Sequence, residues 1–305
     1  MCTALYQKEE GLFGRTLDLE RSYGERVVIT PRGYGHNRYA LMGTATVAED
    51  TPLYYDALNE MGLAMAGLNL PHSAYYPPAK GGAENLGAHQ LIPTLLGRCG
   101  SVEEAVEMLG RLHLCDRAFS DTYPVATLHW MLADRERSVV IEATSAGVQV
   151  QENPVGVLTN EPPFPRQLEH LDTFSHLSHR EPLVTPPTLG RGSGSLGLPG
   201  DYTSPSRFVR GAFGLAGSLP GEHPVGQFFH LMSTVEVPRG SVLLREGRPV
   251  ISRYTCCMDL RQGAYYFRTY GCHRLHAVGL RPWLATGSHL VCYPHPKEDD
   301  VAWEN

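Results

Sequence analysis

The sequence lacks the features that carry a chain into or across a membrane. No uninterrupted run of about 18 apolar residues occurs, so no membrane-spanning helix is predicted. Met1–Leu12 contains Lys8, Glu9 and Glu10 instead of an apolar segment. We therefore expect no secretory signal, no pro-segment before the second residue and a cytoplasmic location. The formal net charge is −6 and basic residues form no long cluster, which argues against nucleic acid or an anionic membrane as a partner.

Patterns typical of metal sites and disulfide frameworks are also missing. The seven cysteines are odd in number and form no Cys-x-x-Cys pair. The 14 histidines form no His-Glu-x-x-His motif and no other cluster with ligand spacing. We expect a reduced protein with no bound metal and no cofactor.

No internal repeat and no linker divides the chain. Of its 305 residues, 42% are hydrophobic and 19% are charged, which is typical of a globular protein with a sizeable core. We expect a single domain over residues 1–305.

Runs rich in β-branched and aromatic residues alternate in blocks with amphipathic segments. The predicted strands are Arg26–Thr30, Ala40–Ala48, Leu53–Ala57, Leu63–Asn69, Ala126–Ala133, Ser138–Thr144, Gly147–Gln151, Gly156–Leu158, Tyr254–Leu260, Ala264–Tyr270 and Arg274–Leu280. The predicted helices are Asn85–Cys99, Ser101–Leu112, Pro165–Leu177, Ser204–Ala216 and Val225–Val235. This order indicates an α+β protein with an αββα sandwich: two stacked antiparallel sheets flanked by helix pairs.

What the sequence does have is a cysteine at position 2. Methionine aminopeptidases remove Met1 when the next side chain is small, and Cys2 qualifies. The new terminus would carry a thiol and an α-amine, whose pKa of roughly 7.7–8.0 makes it a usable base near neutral pH. In such an N-terminal nucleophile the amine replaces the histidine of a Cys-His pair. Position alone leaves open that Cys2 is an ordinary buried residue.

Two arginines and one aspartate are further candidates. Arg15 and Asp18 follow the first strand closely, but a regular strand would place them on opposite faces, so both reach Cys2 only if the chain turns near Thr16. A solvated surface pair is the alternative. Arg207 would lie in the first turn of a helix with Ser204 as its N-cap, where a cation opposes the helix dipole. This placement suggests that the Arg207 side chain functions outside its own helix; the alternative is a side chain exposed to solvent.

The segment Ser178–Thr203 is rich in Pro, Gly and Ser and is predicted to be a long loop. Arg191 lies among glycines and serines within it. A glycine-rich backbone can approach a ligand closely, and an arginine can bind an anion in bidentate fashion. We expect this loop to overhang the site, with Arg191 either binding an anionic group of the substrate or pointing to solvent.

Motifs along nearly the whole chain resemble those of the choloylglycine hydrolase family, the N-terminal cysteine hydrolases that include bile salt hydrolases and penicillin V acylases. The matching segments are Met1-Cys2-Thr3, Phe13-Gly14-Arg15-Thr16-Leu17-Asp18, Ser22-Tyr23-Gly24-Glu25, Ile29-Thr30-Pro31-Arg32, Asn59 through Asn69, Leu128-His129-Trp130, Gly156 through Pro162, Gly197-Leu198-Pro199-Gly200-Asp201 and Ser204-Pro205-Ser206-Arg207-Phe208. Thr16 and Glu161 depart from the residues common in that family.

The resemblance implies a role for each matched residue. Cys2 would be the nucleophile through its thiol and the base through its amine, with Arg15 beside the thiolate and Asp18 accepting from the amine. Asn160 would donate to the oxyanion, and a neutral amide is suited to that. Asn69 stands where bile salt hydrolases tend to have Asn and penicillin V acylases Tyr. Arg207 matches the arginine of the Ser-Arg-Phe segment.

The resemblance further implies an N-terminal-nucleophile hydrolase that cleaves the amide bond of glycine- or taurine-conjugated bile acids without a cofactor, as a homo-oligomer and commonly a homotetramer. Three alternatives stay open: a penicillin V acylase, which Asn69 argues against; an acyltransferase in which an amino acid resolves the thioester; and a catalytically silent binding module of the same fold.

Overall fold

The computed structural model describes residues 1–182, 190–298 and 301–304, with the backbone alone at His36. Its strands are β1 (Cys2–Gln7), β2 (Leu12–Leu19), β3 (Arg26–Thr30), β4 (Leu41–Ala48), β5 (Thr51–Tyr54), β6 (Asp56–Asn59), β7 (Ala64–Asn69), β8 (Glu84–Gly87), β9 (Leu112–Cys115), β10 (Leu128–Ala133), β11 (Ser138–Thr144), β12 (Gly147–Glu152), β13 (Val157–Leu158), β14 (Ile251–Asp259), β15 (Ala264–Thr269), β16 (Cys272–Gly279) and β17 (Val291–Pro294). Its α-helices are α1 (Leu91–Arg98), α2 (Val102–Leu109), α3 (Phe164–Asp172), α4 (Ser204–Ala216), α5 (Pro224–Ser233) and α6 (Pro282–Ala285). Short 3₁₀ turns cover Tyr34–His36, Ala88–Gln90 and Ser193–Ser195.

Two antiparallel sheets form the centre of the protein. The first sheet has six strands in the order β13-β1-β2-β14-β15-β16. The second has nine strands, in the order β12-β11-β10-β7-β6-β4-β3-β17 with β5 paired to β4. Helices α4 and α5 pack on the first sheet and α1 packs on the second. The predicted αββα sandwich is therefore confirmed.

Side-chain alternation along β7 shows how the layers are joined. Ala64, Ala66 and Leu68 belong to the core that also contains residues of the first sheet, whereas Met65 belongs to the core beneath α1 and α2. Successive residues of a strand point to opposite faces, so a strand buried on both faces carries apolar residues throughout. Each sheet is thus covered on one face by the other sheet and on the other face by helices.

The first sheet is closely packed at Gly14. A Cβ atom at this position of β2 would lie 2.0 Å from the carbonyl oxygen of Cys256 on β14. Real side chains never approach a backbone oxygen so closely, so only glycine allows β2 and β14 to pair in this way. The neighbouring residue Arg15 is fixed in the sheet as a result.

Several predicted helices are shorter than expected. Asn85–Cys99 begins as strand β8 and becomes α-helical only from Leu91, because Pro93 lacks an N–H and is tolerated only in the first helical turn. The predicted capping residue Ser101 is confirmed, since its hydroxyl accepts a hydrogen bond from the Glu104 N–H. That helix ends at Leu109, and the residues that follow pair as β9 with β8. The helix predicted over Pro165–Leu177 is Phe164–Asp172.

Candidate active site

Cys2 lies at the start of β1, in the interior of the first sheet. It is opposite Leu17 in the β1–β2 ladder and is only 2% exposed. Met1 extends the ladder by one residue: its amine donates to the Asp18 carbonyl at 2.8 Å, and its own carbonyl accepts from the Asp18 N–H at 3.0 Å. Removal of Met1 would therefore expose the Cys2 nitrogen next to the backbone of Asp18.

Arg15 lies on the same face of the first sheet as Cys2, two pairs further along the ladder. Its guanidinium is fully buried and donates to three carbonyl oxygens: that of Thr16 at 3.1 Å, that of Tyr55 at 3.0 Å and that of Gly67 at 2.8 Å. Among the described residues, Nη2 of Arg15 has no hydrogen-bond partner. The guanidinium is thus fixed in place with one nitrogen available to another group.

The charge of Arg15 is stabilised by its surroundings. Burial alone would lower its pKa, but the interaction with Cys2, Tyr254 and Asp56 outweighs burial and raises the pKa of Arg15. Asp56 is itself buried and accepts hydrogen bonds from the hydroxyls of Tyr254 and Tyr265. Burial raises the pKa of the Asp56 carboxyl, and Arg15 opposes that shift. Arg15 therefore keeps its positive charge beside the Cys2 thiol.

Asn160 connects Cys2 to two other predicted site residues. Its Oδ1 accepts from the Cys2 N–H and from Nη2 of Arg207, each at 2.8 Å. Its Nδ2 donates to the Asn69 carbonyl at 2.8 Å. A carboxamide nitrogen carries two N–H groups, so one remains for a substrate oxygen. Asn69 contributes here through its backbone, at the end of β7.

Arg207 projects from the first turn of α4 towards β1 and is fully buried, so the solvated alternative is wrong. Its Nη1 donates to the Cys2 carbonyl and, at 2.6 Å, to the Thr3 hydroxyl. Its Nε donates to the Tyr202 carbonyl at 3.2 Å. Burial lowers the pKa of Arg207, while Asp18 and Cys2 oppose that shift. Arg207, in the first turn of α4, thus binds the backbone of Cys2.

Asp18 lies on the face of β2 opposite to Arg15. Strand β2 continues without a turn at Thr16, and the irregularity lies instead in its partner β14, between Ser252 and Tyr254. The Asp18 carboxylate accepts from the Thr16 hydroxyl at 3.2 Å and from the Ser252 hydroxyl at 2.6 Å. The turn that would have brought both charges to one face of the strand is absent, and Asp18 reaches Met1 through its backbone.

Arg191 is the predicted site residue with the least support from the geometry. It is exposed between Gly190 and Gly192, both at positive φ. The loop that carries it is fastened where the Ser178 N–H donates to the Gly194 carbonyl at 2.8 Å. Part of the predicted loop, residues 183–189, lies outside the described residues. Among the described residues, no hydrogen bond joins Arg191 to the other site residues.

Two residues that support the site were missed by the sequence analysis. Ser204 was predicted to be an N-cap, but the N-cap is Thr203, and the Ser204 hydroxyl accepts from the Asn160 N–H at 2.8 Å. The Glu161 carboxylate accepts from the backbone N–H groups of His72 and Ser73, each at 2.8 Å. Both contacts join segments far apart in the chain, and no local pattern marks them.

A sizeable groove in the described part of the chain lies away from this site. It encloses about 960 Å³ at the far end of β1, beside Tyr6, Phe174 and Phe213. None of the predicted site residues lines it. Within residues 1–182, 190–298 and 301–304, no group of three or more His, Cys, Asp or Glu side chains is arranged to bind a metal ion, and no helix is long and apolar enough to span a membrane.

Comparison with known proteins gives the following matches. Residues 2–283 match the family described as linear amide C–N hydrolases, choloylglycine hydrolase family. The chain is 40% identical to a bile salt hydrolase/transferase of Lactiplantibacillus plantarum, over 96% of this chain and 97% of that protein. Its structure matches that of the C2A mutant of a conjugated bile acid hydrolase from Clostridium perfringens with a TM-score of 0.92, 31% identity and full coverage of both chains. A penicillin V acylase from Agrobacterium tumefaciens matches with a TM-score of 0.74 at 22% identity, over 92% of this chain and 86% of that one, which shows a shared fold.

Proposed function

Because this chain belongs to the choloylglycine hydrolase family of linear amide C–N hydrolases, we propose that it hydrolyses glycine- and taurine-conjugated bile acids. The names of the bacterial relatives and the match to a conjugated bile acid hydrolase over both full chains support this substrate class. One observation carries the proposal: Cys2 lies between the guanidinium of Arg15, whose Nη2 has no partner among the described residues, and the carboxamide of Asn160.

In the proposed mechanism Met1 is removed and the Cys2 α-amine is the base. The amine takes the thiol proton as the sulfur attacks the amide carbonyl carbon. The amine then gives that proton to the leaving nitrogen of glycine or taurine, and the C–N bond breaks. A thioester of the bile acid remains on Cys2. Water attacks the thioester, the amine accepts its proton, and the free bile acid leaves as the thiol is restored.

Arg15 and Asn160 would stabilise the charges that develop in these steps. A cation beside Cys2 favours the thiolate and disfavours the protonated amine, so Arg15 promotes both the nucleophile and the base. The second N–H of the Asn160 carboxamide would donate to the tetrahedral oxyanion. Arg207 would hold Asn160 and the Cys2 carbonyl in position through its Nη atoms.

A second activity is acyl transfer, in which the amine of an amino acid resolves the same thioester in place of water. The name of the 40% identical relative, a bile salt hydrolase/transferase, favours it. Incubation with cholate conjugates and a second amino acid, followed by mass spectrometry, would measure the ratio of the two products. A homotetramer and a cytoplasmic location are further parts of the proposal, and light scattering after gel filtration tests the first.

The proposed function is tested with glycocholate, taurocholate and penicillin V in parallel. We expect release of glycine and taurine by the wild-type protein and its loss in Cys2→Ala, while Cys256→Ala, a matched change of a buried cysteine in β14, remains active. Mass spectrometry should detect an acyl adduct on the peptide that begins with Cys2. Turnover of penicillin V alone would contradict the substrate class, and an active Cys2→Ala protein would contradict the mechanism.

A further inference from the structure

His129 and Glu142 form a buried polar pair that the mechanism above does not use. They lie directly opposite each other on β10 and β11, with exposures of 0% and 1%. His129 Nδ1 is 2.9 Å from Oε1 of Glu142. Met131, two residues further along the same strand and therefore on the same face, belongs to the core between the sheets. The pair thus points from the second sheet towards the first.

This pair binds both ends of the segment that contains Asn160. His129 Nε2 is 3.0 Å from the Thr159 carbonyl oxygen. The Phe164 N–H donates to Glu142 Oε1, also at 3.0 Å. Residues 159–163 connect β13 to α3, and the contacts at Thr159 and Phe164 thereby fasten both ends of this connection to neighbouring strands of the other sheet.

The three contacts of the pair need a particular number of protons, and this limits which side chains can form them. A carbonyl oxygen only accepts, so His129 Nε2 must carry a proton. Glu142 Oε1 already accepts from the Phe164 N–H, and a further proton must lie between it and His129 Nδ1. Glutamine at 142 cannot reproduce these contacts. Its amide oxygen would accept from the Phe164 N–H, and His129 could bind that same oxygen only if Nδ1 carried a proton. A neutral imidazole would leave one of the three contacts unmade, at a cost typical of buried polar groups.

We propose that His129 and Glu142 are positioning residues, which hold Asn160 in the orientation that presents its carboxamide beside Cys2. This inference rests on the proposed role of Asn160. The carboxamide is attached to a segment whose preceding carbonyl and following amide are both fixed by the pair. A small displacement of an oxyanion donor is costly, because its contribution depends on its distance from the developing charge.

The test uses His129→Gln and Glu142→Gln, each alone and combined with Asn160→Ala. The control is Asn59→Ala, which removes a buried side chain with contacts to Leu96, Cys99 and the Asn59–Leu63 turn, towards the strand ends of the second sheet that are remote from His129. Loss of one oxyanion donor costs about 10²–10³ in kcat. We expect each glutamine variant to lower kcat by about tenfold or more within that limit, with KM nearly unchanged, and Asn59→Ala to lower stability but not kcat.

When one residue acts through another, the effects of their substitutions on kcat are not additive. In the Asn160→Ala background we therefore expect His129→Gln to change kcat by less than about twofold. An equal loss of kcat in both backgrounds would overturn the proposal, since it would show that His129 supports the fold and not Asn160.

Hydrogen–deuterium exchange gives a readout that needs no turnover. We expect faster exchange of the amides of residues 158–164 in both glutamine variants, and unchanged exchange there in Asn59→Ala. Unaltered exchange of this segment in His129→Gln would also overturn the proposal. If the wild-type protein cleaved no bile acid conjugate, the proposed substrate would be wrong. The exchange data, together with kcat of the same single and double variants on penicillin V, would still decide the role of His129 and Glu142.

Discussion

Asn160→Asp would separate the two uses of the Asn160 side chain. The carboxylate keeps an oxygen that can accept from the Cys2 N–H and from Arg207, but it replaces Nδ2, which donates to the Asn69 carbonyl at 2.8 Å. Both N–H groups of the carboxamide are lost, including the one available to an oxyanion. We expect kcat to fall by about 10²–10³, which corresponds to roughly 2.7–4 kcal/mol of transition-state stabilisation.

Asn160→Ala and Asn160→Asp should differ in their free energies of unfolding but not in their loss of kcat. Asn160→Ala removes three side-chain hydrogen bonds, so unfolding should become easier by roughly 1.5–4.5 kcal/mol at about 0.5–1.5 kcal/mol each. Asn160→Asp removes only the bond to Asn69; its second carboxylate oxygen would face that carbonyl, but its charge would be balanced by Arg207, so it should cost less. Both variants should nevertheless lose kcat to a similar extent, because both lack the donor.

Two measurements on the same preparations decide the question. Glycine and taurine released from conjugated cholates give kcat, and urea unfolding gives stability, with Asn59→Asp as the matched control in another buried position. A folded Asn160→Asp protein with kcat within about threefold of wild type would refute the role of Asn160 as oxyanion donor. A loss of activity in proportion to the loss of stability would refute it as well.

The remaining predictions concern the terminus, the pH profile and the loop. The mature protein should lack Met1, and Cys2 should react with iodoacetamide far faster than Cys256, because burial raises the pKa of the Cys256 thiol well above its usual value. Peptide mapping would show both. A fully active protein that retains Met1 would contradict the prediction. A cation lowers the pKa of a nearby amine, so Arg15 should keep the base unprotonated into mildly acidic solution, and an acidic limb of kcat/KM above about pH 8 would be the opposite result. If Arg191 binds the anionic end of the amino acid, Arg191→Ala should lower kcat/KM for taurocholate more than for glycocholate; an unchanged ratio would exclude that role.

The sequence alone predicted the fold and supplied candidate residues, because both depend on local patterns, but it did not identify Ser204 and Glu161 as supports of the site. Blocks of apolar runs and amphipathic segments indicated the sandwich, and the order of short motifs pointed to Cys2, Arg15 and Asn160. The helix opening at Arg207 carried a signal of its own, since a cation in a first turn is unfavourable locally. Its burial against β1 agrees with that signal.

The partners of these residues could not be predicted, because they depend on how distant segments meet. Ser204 was interpreted through its own helix, yet its hydroxyl binds the amide of Asn160. The faces of Arg15 and Asp18 followed from strand alternation, but only the structure shows that β2 continues through Thr16 without a turn. Helix ends were misplaced where a tertiary contact competed with local preference, as at β8, which pairs with β9.

The contact from Arg207 to the Cys2 carbonyl joins residues 205 positions apart in the chain. We expect contacts of such long range to form late, because a long loop must close before they contribute to stability. A partly synthesised or partly folded chain therefore has a thiol at position 2 with the reactivity of any exposed cysteine. Under the proposed function, the complete set of groups around Cys2 therefore exists only in molecules in which the terminal strand and helix α4 have already met.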